Sequence, residues 1–80
     1  MNAEQARMAR ALIKLGVRDV ASKAGVTPNT ISRIENGSDA KASTLAALRE
    51  VYERLGVQFL DAGQAGQNPT VARRDGFDGT

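Results

Sequence analysis

Eighty residues with a formal charge of +2, no cysteine and no histidine make one small domain. That composition excludes a disulfide scaffold, the usual zinc sites and the commonest general base, so neither an enzyme nor a cofactor is expected. No apolar run approaches the ~20 residues of a membrane span. "MNAEQARMARAL" also lacks the apolar stretch of a signal peptide, which makes the cytoplasm the expected location.

Residues 1–56 carry nine Lys or Arg against six Asp or Glu, whereas residues 57–80 carry two against three. Any attraction to phosphates therefore belongs to the first part.

In chain order, Ala3 to about Ile13 is rich in helix formers and places Met8, Ala9, Leu12 and Ile13 on one face. Gly16 interrupts that pattern. A short helix is predicted from Val17 to about Ala24, with Val20, Ala21 and Ala24 inward. Asp19 in its first turn and Lys23 in its last suit the helix dipole, and Gly25 stands where a left-handed residue would end it. Thr27 as cap and Pro28 at the first helical position then open a third helix, running to about Glu35 before Asn36-Gly37. A polar loop leads to Ser43, the expected cap of a fourth helix in which Leu45, Leu48, Tyr52 and Leu55 share a face.

After Gly56 the period changes. "VQFLD", a Gly- and Asn-rich turn region and "PTVARR" predict a hairpin over residues 57–74, with residues 75–80 as a tail. The fold class is mainly α: a helix-turn-helix domain over residues 1–56, then a short C-terminal β-hairpin. A lone two-stranded hairpin is barely stable, so it packs on the helices or pairs with a second chain. Phe59, Leu60 and Val71 are either core cover or a dimer seam, and the open edge favours the seam.

The segment from Val17 to Asn36 has the parts of a helix-turn-helix: small Ala21 at the crossing, Gly25 for the turn, and Val26 and Ile31 to lock the second helix. Its second helix turns a polar face outward, and a helix held that way can enter the major groove of B-DNA. Arg33 has the geometry for guanine O6/N7 and Asn29 for adenine N6/N7. Tyr52 reads as core, Glu50 and Arg54 as an i,i+4 pair, and Arg73 and Arg74 as tail solubility.

"LGVRDVASKAGVTPNTISRIENG" followed by "STLAALREVYERLGV" resembles the phage-repressor-like (Cro and Xre) family of helix-turn-helix DNA-binding proteins, over roughly residues 3–60. The resemblance implies a four-to-five-helix lambda-repressor-like domain that binds double-stranded DNA, an inverted-repeat operator, as a homodimer. Carried over, it makes Pro28, Asn29 and Arg33 base contacts and gives phosphates to Arg18, Thr27, Thr30, Ser32, Asn36 and Lys41. It makes Arg10 and Glu35 a structural ion pair. The chain departs from the family at Gly16 and Val17, where a hydroxyl cap and a phosphate-binding glutamine are usual, and at Lys14, where glycine is usual.

The expected function is sequence-specific regulation of transcription, repressor-like, of the kind found in phages, mobile elements and toxin–antitoxin operons. The alternative is a helix-turn-helix that binds another regulatory protein, as an antiactivator or antitoxin. The operator, the regulated genes and the sign of regulation are not written in the sequence.

Overall fold

The computed structural model describes residues 1–60 and 70–73. The expected turn region, Arg74 and the tail lie outside the described residues. Four helices, α1 (Ala3–Ile13), α2 (Val17–Ala24), α3 (Pro28–Glu35) and α4 (Ala42–Arg54), precede strands β1 (Val57–Leu60) and β2 (Thr70–Arg73).

Local chemistry sets most of the helix ends. At the start of α1, the Asn2 carboxamide accepts from the Gln5 N–H at 2.8 Å and the Gln5 side chain accepts from the Asn2 N–H at 3.0 Å, a reciprocal capping box. Helix α2 ends at Gly25, whose φ of 73° is the left-handed conformation that glycine adopts without strain. The Val26 N–H then donates to Ala21 O at 3.0 Å, folding the chain back toward α3. Thr27 caps α3, its hydroxyl accepting from the Thr30 N–H at 3.2 Å, and Pro28 follows where no N–H is required.

One boundary differs from expectation. Ser43 is not the cap of α4; the helix opens at Ala42 with Lys41 as N-cap and no side-chain capping bond. Two i,i+4 pairs run along α4, Arg49–Glu53 at 3.1 Å and Arg54–Glu50 at 2.7 Å.

The core joins Ala6 and Ala9 of α1, Val20 and Ala21 of α2, Ile31 and Ile34 of α3, Leu48 and Tyr52 of α4, and Val57 and Phe59 of β1. Small residues at Ala6, Ala9 and Ala21 let the helices approach closely, and Ile31, wholly buried, fills the space between them. Burial of a side chain that size contributes roughly 1.5–3 kcal/mol. The inward face of α1 is shifted from its apolar pattern: Ala9 is buried as expected, but Gln5 and Ala6 are buried with it while Met8, Leu12 and Ile13 stay half-exposed.

Strands β1 and β2 pair antiparallel in the register Val57↔Arg73, Gln58↔Ala72, Phe59↔Val71 and Leu60↔Thr70. Of the two readings open for Phe59, core cover and dimer seam, the fold favours the first: it is 7% exposed and belongs to the protomer's own core. Its ring lies 6.3 Å from that of Tyr52, tilted by 54°, and the Arg49 guanidinium sits 5.1 Å from its centroid. Leu60 and Val71 keep exposed area. Arg73 is not a solubilising tail residue either: its Nη2 donates to Leu12 O at 3.0 Å and ties β2 to the end of α1.

Candidate nucleic-acid interface

Helix α3 is short, and its inward residues Ile31, Ile34 and Glu35 are buried. That leaves Pro28, Asn29, Ser32 and Arg33 exposed on the opposite side, with Thr30 half-buried between the two. Asn29 and Arg33 are one turn apart, so their side chains stand in one row. Thr27 and Asn36 flank the row at the two ends of the helix, both exposed. The Thr27 and Thr30 hydroxyls share a hydrogen bond at 2.9 Å, so one O–H of the two is left to donate outward.

The far end of α3 is held from behind by α1. Arg10 grips the Glu35 carboxylate bidentately, Nε to Oε2 at 2.7 Å and Nη2 to Oε1 at 2.9 Å. The Glu35 carboxylate is nearly buried, and hydrogen bonding to it holds the Arg10 guanidinium pKa above its ordinary value. Arg7 donates to the main-chain carbonyl of the same Glu35. The last residue of α3 is thus fastened through side chain and backbone alike, which leaves the helix little freedom to rotate.

Beside α3, a recess of about 290 Å³ is lined by Thr30, Arg33, Asp39, Ala40, Lys41 and Thr44. It brings together three residues expected at DNA, namely Thr30, Arg33 and Lys41. Asp39 and Thr44 were not expected there; nothing in their local sequence marks them, because the recess forms only when the loop after α3 folds against the start of α4. Arg18 is exposed on the first turn of α2, where Gly16 supplies no side-chain cap and the first N–H groups are left for an acceptor. Val17, in the position of the family's phosphate-binding glutamine, is half-buried and packs against the core.

The cations divide sharply by location. Arg7 and Arg10 hold Glu35, Arg49 and Arg54 pair along α4, and Arg73 docks on α1. Among the described residues, Lys14, Arg18, Lys23, Arg33 and Lys41 have no ion pair or side-chain hydrogen bond. All five fall between residues 14 and 41, against two carboxylates there without a partner, Asp19 and Asp39. No group of side chains suited to a metal ion occurs among the described residues, and no helix there is long and apolar enough to cross a membrane.

A helix-turn-helix family model matches residues 6–59, from within α1 to β1. The chain belongs to the Cro/C1-type helix-turn-helix family. It is also 31% identical, over 61 residues, to a candidate HTH-type transcriptional regulatory protein of Archaeoglobus fulgidus. That match covers 76% of this chain but 20% of the relative, so the likeness concerns one domain of a longer protein. Helices α2 and α3, joined by the turn at Gly25, both lie within the matched residues.

Proposed function

We propose that this helix-turn-helix protein is a sequence-specific DNA-binding regulator of transcription that presents α3 to the major groove. The observation that carries the reading is the division of cations. Those on α1, α4 and β2 are engaged within the fold, whereas those on and around α2 and α3 are left for an external anion. In this reading Asn29 and Arg33 read base edges, with Pro28 in apolar contact beside them. Arg18, Ser32, Asn36, Lys41 and the free hydroxyl of the Thr27–Thr30 pair meet phosphates. Family membership and the regulator-like relative support the same direction.

The finer proposal is a repressor-like homodimer on an inverted repeat, with Leu60 and Val71 of the hairpin at the seam. Two-fold protein symmetry would then be mirrored in the operator. No catalytic step is assigned.

Binding to the DNA upstream of its own coding region and to a scrambled duplex, across a salt series, tests the reading. Three to five phosphate contacts per protomer give a slope of about −2.7 to −4.5 in log affinity against log salt for a single protomer, and about twice that for the dimer. A slope near zero, or equal affinity for both duplexes, would reject sequence-specific binding at that site.

A further inference from the structure

Helix α1 grips two things at once. On one side its Gln5 carboxamide is 2% exposed, and Nε2 donates to Leu60 O at 3.1 Å and to Thr70 O at 3.0 Å. Those carbonyls belong to partner residues at one end of the β1–β2 ladder. Met8 Sδ accepts from the Thr70 hydroxyl, and Leu12 O accepts from Arg73 at the ladder's other end. The hairpin is therefore held at both ends along α1, over a rise of roughly 10 Å between residues 5 and 12. On its other side α1 holds the last residue of α3, through Arg7 to the Glu35 carbonyl and Arg10 to the Glu35 carboxylate.

Apolar packing alone tolerates small slides between elements, but these contacts are directional. Gln5 is a buried donor, and such a donor costs more on leaving its acceptors than the bonds themselves contribute, so the hairpin junction resists tilting; at α3 the bidentate geometry of Arg10 on Glu35 does the same. Recognition helix and hairpin are locked to one bar by polar contacts at each junction.

We infer that α1 is the element that sets how far, and at what angle, the recognition helix stands from the hairpin, and that Gln5 is its positioning residue for operator spacing. The inference rests on the reading that the hairpin joins two protomers over two half-sites. In B-DNA, inserting one base pair moves the half-sites apart by about 3.4 Å and rotates them by about 35°. A dimer with rigid arms rejects that change. A dimer whose hairpin can tilt on α1 accepts it, while base preference within each half-site, set by side chains on α3, stays as it was.

The experiment is selection from a random duplex library by the wild-type protein, followed by binding to the selected duplex with its spacer lengthened or shortened by one base pair. Gln5→Met keeps roughly the size of the side chain and removes both donated bonds, together with the acceptor of the Asn2 N–H in the capping box, a loss that Arg73→Met does not share. Arg73→Met loosens the other end of the hairpin from the half-buried rim and carries the test where Gln5→Met does not fold by circular dichroism. Wild type should lose about tenfold or more on a one-base-pair change, comparable to a mismatch. The variants should lose less than about threefold, with unchanged discrimination of bases inside the half-site. Spacing discrimination equal to wild type in a folded variant overturns the inference and leaves the dimer reading standing. Selection of single, unpaired half-sites by wild type removes the dimer reading, and the inference with it.

Discussion

Lys14 is the one non-glycine residue among the described positions with positive φ, at φ 58° and ψ 37°. It caps the C-terminus of α1, its N–H donating to carbonyls of the last turn, Ala11 O among them at 3.2 Å, and the Leu15 N–H donates to Arg10 O at 3.3 Å. The turn is needed to swing the chain into α2, yet a Cβ in this conformation costs about 1–2 kcal/mol. Lys14→Gly removes that cost and adds back roughly 0.5–1 kcal/mol of unfolded-chain entropy. The Lys14 side chain is exposed and makes no hydrogen bond or ion pair among the described residues, so nothing else is lost from the fold. The balance is a gain of about 0.5–1 kcal/mol, which raises Tm by about 2–8 °C in a domain of this size. Thermal unfolding followed by circular dichroism, on wild type, Lys14→Gly and Lys14→Ala in one buffer, measures it. The alanine variant removes the charge but keeps the Cβ, and should stay near wild type. Equal Tm for wild type and Lys14→Gly, or an equal rise for the alanine variant, would refute the argument from backbone conformation.

Arg33→Ala should weaken specific binding by about 1–3 kcal/mol and relax preference at one base pair per half-site, read by competition among duplexes changed one position at a time. For the pair behind α3, Arg10→Met should destabilise more than Arg10→Met combined with Glu35→Leu, because the single change leaves a nearly buried carboxylate with its main partner gone. Urea denaturation of the double-mutant cycle gives the difference, expected at about 0.5–3 kcal/mol. Tyr52 is the chain's one tyrosine, so phenolate absorbance reports it alone. Burial, with a smaller contribution from the Glu35 charge, pushes its pKa up to about 12. Because the folded state holds that proton more tightly than the unfolded state, Tyr52 should cost stability as pH rises from about 10 toward 12 and have no such effect below. Its hydroxyl is buried without a hydrogen-bond partner among the described residues, so Tyr52→Phe should be neutral or slightly stabilising and should abolish this part of the alkaline loss. A folded-state midpoint near pH 10 in the absorbance titration would contradict that account.

Much of the fold was written in neighbouring residues. Helix ends at Gly25, Thr27 and Pro28 and the apolar spacing of Val20, Ile31, Leu48 and Tyr52 depend on contacts within a turn or two, which a linear chain displays directly. The polar row of Asn29 and Arg33 was legible for the same reason, once Ile31 and Ile34 were assigned inward. Tertiary structure decided the rest. Gln5 looks like an ordinary helix-opening residue, and its second role depends on carbonyls 55 and 65 residues away. Phe59 and Arg73 alternate as strand residues must, but which face meets the core followed from where α1 and α4 came to rest. The candidate site divides along the same line: sequence alone determined which helix carries the hydrogen-bonding face, and folding decided which cations are left to use it. Charges are counted in a sequence one by one, whereas an ion pair such as Arg10 with Glu35 exists only after helices distant along the chain have met.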